Sequence, residues 1–183
     1  AGCATAPVKT SGDVPAQSWD ARRAEMQQRE SFELKGRLAV AAGKEGFNAR
    51  LRWEQQGGSS SLALDGPMGV GGVRISTNGA DLEVVNSRGQ RLDSEAARAE
   101  IATRLGFEPP LASLRYWVLG VPNPALPAEE TLDSQQRLER LLQDGWDIEY
   151  LNYSAVDGRW LPVRMTLRRD DVRVRVFVDG WQS

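Results

Sequence analysis

The side chains in this sequence that could carry covalent or proton-transfer chemistry are few and scattered. The 183 residues include one cysteine, Cys3, and no histidine. Without histidine, the commonest general base and the commonest metal ligand are both missing. One thiol makes no internal disulfide and no cysteine-based zinc site. Carboxylates remain for acid or base work. Asp65, Asp81 and Glu83 are the candidates for a hydrolytic pair, but their spacing gives them no shared face, and they read as solvated turn and edge residues. Cys3 follows two small residues in Ala1-Gly2-Cys3-Ala4-Thr5. That is the pattern around a lipid-modified lipoprotein cysteine; the other reading is a free N-terminal thiol. Residues 5–17 hold Thr10, Ser11, Gly12, Pro7 and Pro15 with little apolar surface, which predicts a flexible tether.

The remaining chemistry is apolar, and it centres on Leu111 to Pro122. Pro109 and Pro110 suit a helix start, Gly120 a helix end, and Pro122 cannot continue it. Leu111, Leu114, Tyr116, Trp117, Val118 and Leu119 leave only Ser113 and Arg115 polar between them, so this helix is expected to be buried. Around it the period is two. Phe32, Leu34, Leu38 and Val40 alternate with Glu33, Lys35 and Arg37, and Phe47, Ala49, Leu51 and Trp53 alternate with Asn48, Arg50, Arg52 and Glu54. At the other end Val172, Val174, Val176 and Val178 alternate with Arg173 and Arg175. Asn78-Gly79 and Asp144-Gly145 mark hairpins. Residues 135–142 suit either an amphipathic helix or a strand, and the Asp144-Gly145 pair favours the strand. Residues 123–130, with Pro124 and Pro127, read as a loop. Ser18 is expected to cap a helix running to about Arg29, whose thin apolar face places it on the outside of the sheet. Ser94 is expected to cap a second helix ending near Leu105.

These elements give a mainly β fold with some α. About 10–11 strands form an antiparallel curved sheet, because hairpin neighbours cannot be parallel. About three helices cover or plug its concave apolar side. One domain is expected over residues 18–183, after a tether over 1–17. With 23 Lys and Arg against 25 Asp and Glu, the net charge is −2, which argues against a nucleic-acid partner. No run of 18 apolar residues offers a membrane-spanning helix. Trp53, Trp117, Trp146 and Tyr150 face inward in this pattern; they either line a hollow or fill an ordinary core.

From about Trp19 to Trp181 the chain resembles the LolB family, the outer-membrane lipoprotein receptors of Gram-negative bacteria. The resemblance rests on Leu114-Arg115-Tyr116-Trp117-Val118-Leu119-Gly120-Val121-Pro122, on Gly66-Pro67-Met68-Gly69 and on Gly89-Gln90-Arg91. Gly145-Trp146, Leu161-Pro162 and Gly180-Trp181 add support. The family implies an unclosed β-barrel whose cavity holds lipoprotein acyl chains. It implies a monomer without cofactors, anchored at Cys3 to the inner leaflet of the outer membrane and facing the periplasm. Its partners would be lipoprotein cargo and the periplasmic carrier LolA. The implied cavity takes its candidate lining from Leu38, Leu51, Trp53, Leu114, Trp117, Val118, Trp146, Ile148, Tyr150 and Met165. The implied membrane-insertion loop is Gly66, Pro67, Met68 and Gly69, with Met68 where the family typically has leucine. A structural envelope lipoprotein without a transfer role is the alternative.

Overall fold

A computed structural model of the chain describes residues 14–66 and 72–182; Cys3, Pro67, Met68 and Gly69 lie outside the described residues. Helix α1 (Trp19–Gln27) leads into strands β1 (Ser31–Ala42), β2 (Glu45–Gln56), β3 (Ser59–Asp65), β4 (Val73–Asn78), β5 (Asp81–Val85) and β6 (Arg91–Asp93). Helices α2 (Ser94–Leu105) and α3 (Leu111–Trp117) follow. Strands β7 (Ala128–Leu132), β8 (Leu138–Gln143), β9 (Trp146–Val156), β10 (Arg159–Arg169) and β11 (Val172–Gln182) complete the chain.

Among the described residues the eleven strands form one antiparallel sheet in the order β6-β5-β4-β3-β2-β1-β11-β10-β9-β8-β7. The first and last strands pair at its centre. Its two edges, β6 and β7, are neighbours in sequence joined through α2 and α3, so the sheet is not closed and the helices lie across the break. The period-two pattern sets the faces: Leu34, Val40, Leu51 and Trp53 are buried, while Arg50, Arg52 and Glu54 between them are exposed. Asp144-Gly145 turns β8 into β9 with φ of 54° and 74°, and Asp157-Gly158 turns β9 into β10 with 49° and 72°. Two positive φ values in succession are what a type I′ hairpin needs. Residues 138–143 are accordingly a strand, and residues 78–81 are a hairpin.

Four local expectations are corrected. Helix α1 does not lie on the outside of the sheet. Ser18 caps it by accepting from the Ala21 N–H at 3.3 Å, and Trp19 and Met26 join the main core cluster. Its thin apolar face is made up by Arg22, which is buried, donates to the Trp160 carbonyl and lies 5.6 Å from the centre of the Tyr153 ring. Residues 128–130, the end of the expected loop, belong to edge strand β7, whose Glu129 and Glu130 hide the alternation. Ser94 is the first residue of α2 rather than its cap, and neither it nor Asp93 supplies a side-chain cap. Helix α3 ends at Trp117, earlier than Gly120. Gly120, at φ 76°, sits in a Schellman closure in which its N–H donates to the Trp117 carbonyl and the Val121 N–H to that of Tyr116.

The turn between β7 and β8 carries an acid-labile clamp. Asp133 accepts from the N–H groups of Gln135 and Arg137 at 2.8 and 3.0 Å and from the Arg137 guanidinium at 2.8 Å. Partial burial works against the charged carboxyl, but these bonds outweigh it and hold the pKa below its usual value. A carboxyl depressed by folding adds stability above its unfolded pKa, about 3.9, and loses it as pH falls through the folded value. Urea midpoints taken from pH 6 to pH 2.5 should fall more steeply for this chain than for Asp133→Asn.

Candidate functional site

The inward side chains of both arms of the sheet meet across a hollow of about 100 Å³. One wall comes from β1 to β4, with Leu38, Leu51, Trp53, Leu62 and Ile75 among its side chains. The other comes from β9 to β11, with Trp146, Met165, Leu167 and Val174. The roof is the helical crossing: Leu105 at the end of α2, then Phe107, Pro109 and Pro110, then Leu111, Leu114, Trp117 and Val118. Among the described residues, no charged or hydroxyl side chain is part of this lining. Walls from opposite arms can share one space only because the sheet bends around it.

The roof is fixed at each end to a different arm. On the N-terminal arm α2 packs on β5 and β6, burying Ala97, Ile101 and Leu105. On the C-terminal arm Trp117 is held at two points. Its Nε1–H donates to Gln143 Oε1 at 2.8 Å, and its carbonyl accepts from the Tyr150 hydroxyl at 2.8 Å. Gln143 is the hub of this end. Its Oε1 also accepts from the Asn123 N–H at 2.9 Å, and its Nε2 donates to the carbonyls of Asn123 and Leu126, both at 3.0 Å. Asn123 Nδ2 in turn donates to Ser113 Oγ at 3.0 Å. Ser113, Asn123 and Gln143 are all buried, so each of these groups needs its partner. Sequence reasoning missed this network. The signal was Gln143 at an inward position of the Leu141, Gln143 alternation, just before the Asp144-Gly145 turn. Gln143→Ala strips the indole N–H and the Asn123 N–H of their shared acceptor and should cost about 3 kcal/mol in unfolding free energy. Urea denaturation measures it.

Eight of the ten positions expected around a cavity do line the hollow: Leu38, Leu51, Trp53, Leu114, Trp117, Val118, Trp146 and Met165. Ile148 and Tyr150 do not. Both are buried on the inward face of β9, but Ile148 packs in the core and Tyr150 is spent holding the Trp117 carbonyl. Leu111 and Leu114 are half-buried, so α3 is less enclosed than its composition suggests. Gly66 ends β3's side of the loop to β4; the rest of the expected insertion loop and Cys3 fall outside the described residues. The three carboxylates do not converge. Asp81 lies in the row of Ser59 and Asn78, and Asp65 is six residues further along β3, about 20 Å away. Glu83 is paired with Arg91.

The family model described as "Outer membrane lipoprotein LolB" matches residues 30–181. The chain belongs to the LolB family. It is 36% identical to the outer-membrane lipoprotein LolB of Nitrosococcus oceani over 183 residues, covering all of this chain and 91% of that protein. It is 31% identical to the LolB of Pseudomonas aeruginosa, covering 99% of this chain and 89% of that one. Among solved structures, a LolA superfamily protein from Nitrosomonas europaea superposes with a TM-score of 0.58 at 13% identity, over 91% of this chain and 94% of that one. A putative outer membrane lipoprotein-sorting protein domain from Vibrio parahaemolyticus gives 0.55 at 9% identity, over 90% of each. These likenesses extend the unclosed antiparallel sheet with its helical cover to proteins beyond the LolB family.

Proposed function

We propose that this LolB-family chain is an outer-membrane lipoprotein receptor. Its hollow takes the acyl chains of lipid-modified proteins from the periplasmic carrier LolA and passes them to the outer membrane. The observation that carries the reading is the hollow itself, walled by both arms of the sheet and lined, among the described residues, without a charged or hydroxyl side chain. Each buried methylene is stabilised by about 0.8 kcal/mol, so long chains bind without metal or nucleotide. An apolar cavity of roughly 150 Å³ holds one benzene, so a whole acyl chain enters only if the roof lifts. The roof is suited to that, because residues 106–110 cross between two separately anchored helices, and Gly106 at φ 78° supplies a left-handed pivot. Residues 18–183 act as the single binding domain, a monomer. Lipid on Cys3, at the end of the 1–17 tether, holds it to the inner leaflet, facing the periplasm.

A photo-crosslinking residue placed at Leu114, a half-buried position on the roof, should capture the labelled acyl chain of a lipoprotein handed over by LolA. The same residue at Leu151, which is 49% exposed on β9, should capture none. Transfer to liposomes with no label at Leu114 would overturn the reading, and a purely structural lipoprotein predicts neither label nor transfer. In the same assay Met68→Glu should accept cargo but fail to release it into liposomes, since a charge in the proposed insertion segment resists entry into lipid.

A further inference from the structure

Cations gather on the outer face of the sheet, the one turned away from the hollow. The chain as a whole has a net charge of −2. Its middle strands nevertheless expose Arg50, Arg52, Arg74, Arg164, Arg173 and Arg175, and none of these forms an ion pair among the described residues. Lys35, Arg37 and Arg168 lie among them, paired with Glu33 at 3.7 Å, Asp179 at 2.9 Å and Glu149 at 3.0 Å. Cations even stand directly opposite cations on neighbouring strands: Lys35 opposite Arg52, Arg37 opposite Arg50, and Arg168 opposite Arg173. Like charges so placed destabilise a sheet, so folding alone gives no reason for the arrangement. From Arg74 on β4 to Arg164 on β10 the patch crosses the strand spacings of β4, β3, β2, β1, β11 and β10, about 24 Å. It also runs up to Gly66, the first residue of the proposed insertion segment. Arg37, Asn48, Arg50, Asp65 and Phe177 line a recess of about 320 Å³ that takes in Gly66. Asp65 is opposite Arg50 in the ladder, yet no ion pair joins them. The Phe177 ring lies between two guanidiniums, 5.5 Å from Arg37 and 5.4 Å from Arg164.

We propose that this arginine face is a docking surface for the anionic headgroups of a phospholipid bilayer. The inference rests on the membrane-delivery reading and names the surface that meets the membrane. A headgroup phosphate supplies the charge the face lacks, and a guanidinium can meet it with two parallel hydrogen bonds. Closely spaced phosphates relieve the repulsion between facing arginines, which nothing within the chain does for Arg50, Arg52 or Arg173. The attraction acts within a Debye length, about 8 Å in physiological salt, so it governs adsorption at contact rather than recognition of cargo. Continuity with Gly66 favours a bilayer over an acidic protein, because the charged face and the start of the insertion segment share one recess.

The test floats the full chain, without lipid on Cys3, on vesicles of phosphatidylcholine and on vesicles in which about one lipid in three is phosphatidylglycerol. The unaltered protein should bind the second kind more tightly, and salt at about 1 M should remove the difference. Arg50→Gln with Arg52→Gln should lower partitioning onto the anionic vesicles at least about tenfold. Its urea midpoint should not fall, since each replacement removes one of two facing like charges. Arg50→Lys with Arg52→Lys keeps the charge and should keep most of the binding. Arg88→Gln with Arg98→Gln changes the net charge equally at exposed positions off the patch and should leave partitioning nearly unchanged. Equal binding to both kinds of vesicle, a glutamine pair at 50 and 52 that binds like the unaltered chain, or an equal loss in the 88 and 98 control would overturn the proposal. Weakened hand-over from LolA with unchanged vesicle binding would also overturn it, by assigning the face to an acidic protein. Capture of the acyl chain at Leu114 in solution should be the same in all these variants. Its absence, with vesicle binding kept, would overturn the receptor reading and leave the docking face standing.

Discussion

Gly36→Ala should lower the unfolding free energy by at least about 3 kcal/mol, and a larger side chain at this position should abolish folding. The cause is space. A Cβ on Gly36 would stand 2.2 Å from the Phe177 carbonyl oxygen and 3.1 Å from Val178 Cα. Both are backbone, so no side-chain rotation relieves the clash. The tightness follows from the bulge in β11, where the register passes from Lys35 opposite Gly180 to Gly36 opposite Val178 and skips Asp179. The seam between β1 and β11 is also where the two arms of the sheet join, so a local shift there changes how both walls face the hollow. Arg37→Ala is the control. Its pair with Asp179 at 2.9 Å is exposed on the outer face, and its loss should leave the urea midpoint essentially where it is. Urea midpoints of the two variants decide the matter: a Gly36→Ala protein as stable as Arg37→Ala would show that the seam yields.

Trp117→Glu should cost about 4 kcal/mol or prevent folding, and any folded fraction should fail to take an acyl chain. Trp117 is fully buried and belongs at once to the roof of the hollow and to the Gln143 network. A carboxylate there has no cation to pair with in the lining and leaves Gln143 Oε1 with one donor fewer. Trp117→Phe separates the two effects. It keeps an aromatic ring on the roof and removes only the N–H, so it should cost about 1–2 kcal/mol and leave acyl-chain capture intact. Thermal or urea denaturation read beside the Leu114 crosslink measures both. A Trp117→Glu protein with full stability and full capture would mean that the roof does not depend on this residue.

Alternation was the legible part of this chain. The faces of β1, β2 and β11 follow from Phe32 to Val40, Phe47 to Trp53 and Val172 to Val178, because one residue of slip would turn each apolar set outward. The Asp-Gly pairs placed their hairpins because they suit two successive positive φ values. Elements whose burial does not rest on apolar character were not legible. Edge strand β7 reads Ala-Glu-Glu-Thr-Leu and needs only one neighbour, so nothing in it alternates. Helix α1 buries an arginine, whose contact with Tyr153 replaces the apolar stripe that the expectation required. On β9 the alternation placed Trp146, Ile148 and Tyr150 on one face, which is correct, but a shared face does not distinguish the wall of a hollow from filled core. That depends on what stands opposite, and Tyr150 faces the Trp117 carbonyl, 33 residues upstream. Gln143 was hidden for the same reason: its worth lies in partners from the 123–126 turn, not in its own type.

The central pairing of β1 with β11 bears on how the molecule is born. Glu33 lies opposite Gln182, so the strand made first waits for the strand made last. A chain emerging from its N-terminus can stack β1 to β6 by hairpins alone, and later β7 to β10 likewise. Through that interval β1 presents a bare row of backbone donors and acceptors beside a greasy face, the surface that recruits stray strands from other chains. Closing so distant a pair is slow, because the loop entropy is spent before the ladder forms. The eleven residues of β11 therefore time completion of the sheet. A chain cut before Val172 would be two half-sheets tied by a helical strap, with no common wall between them.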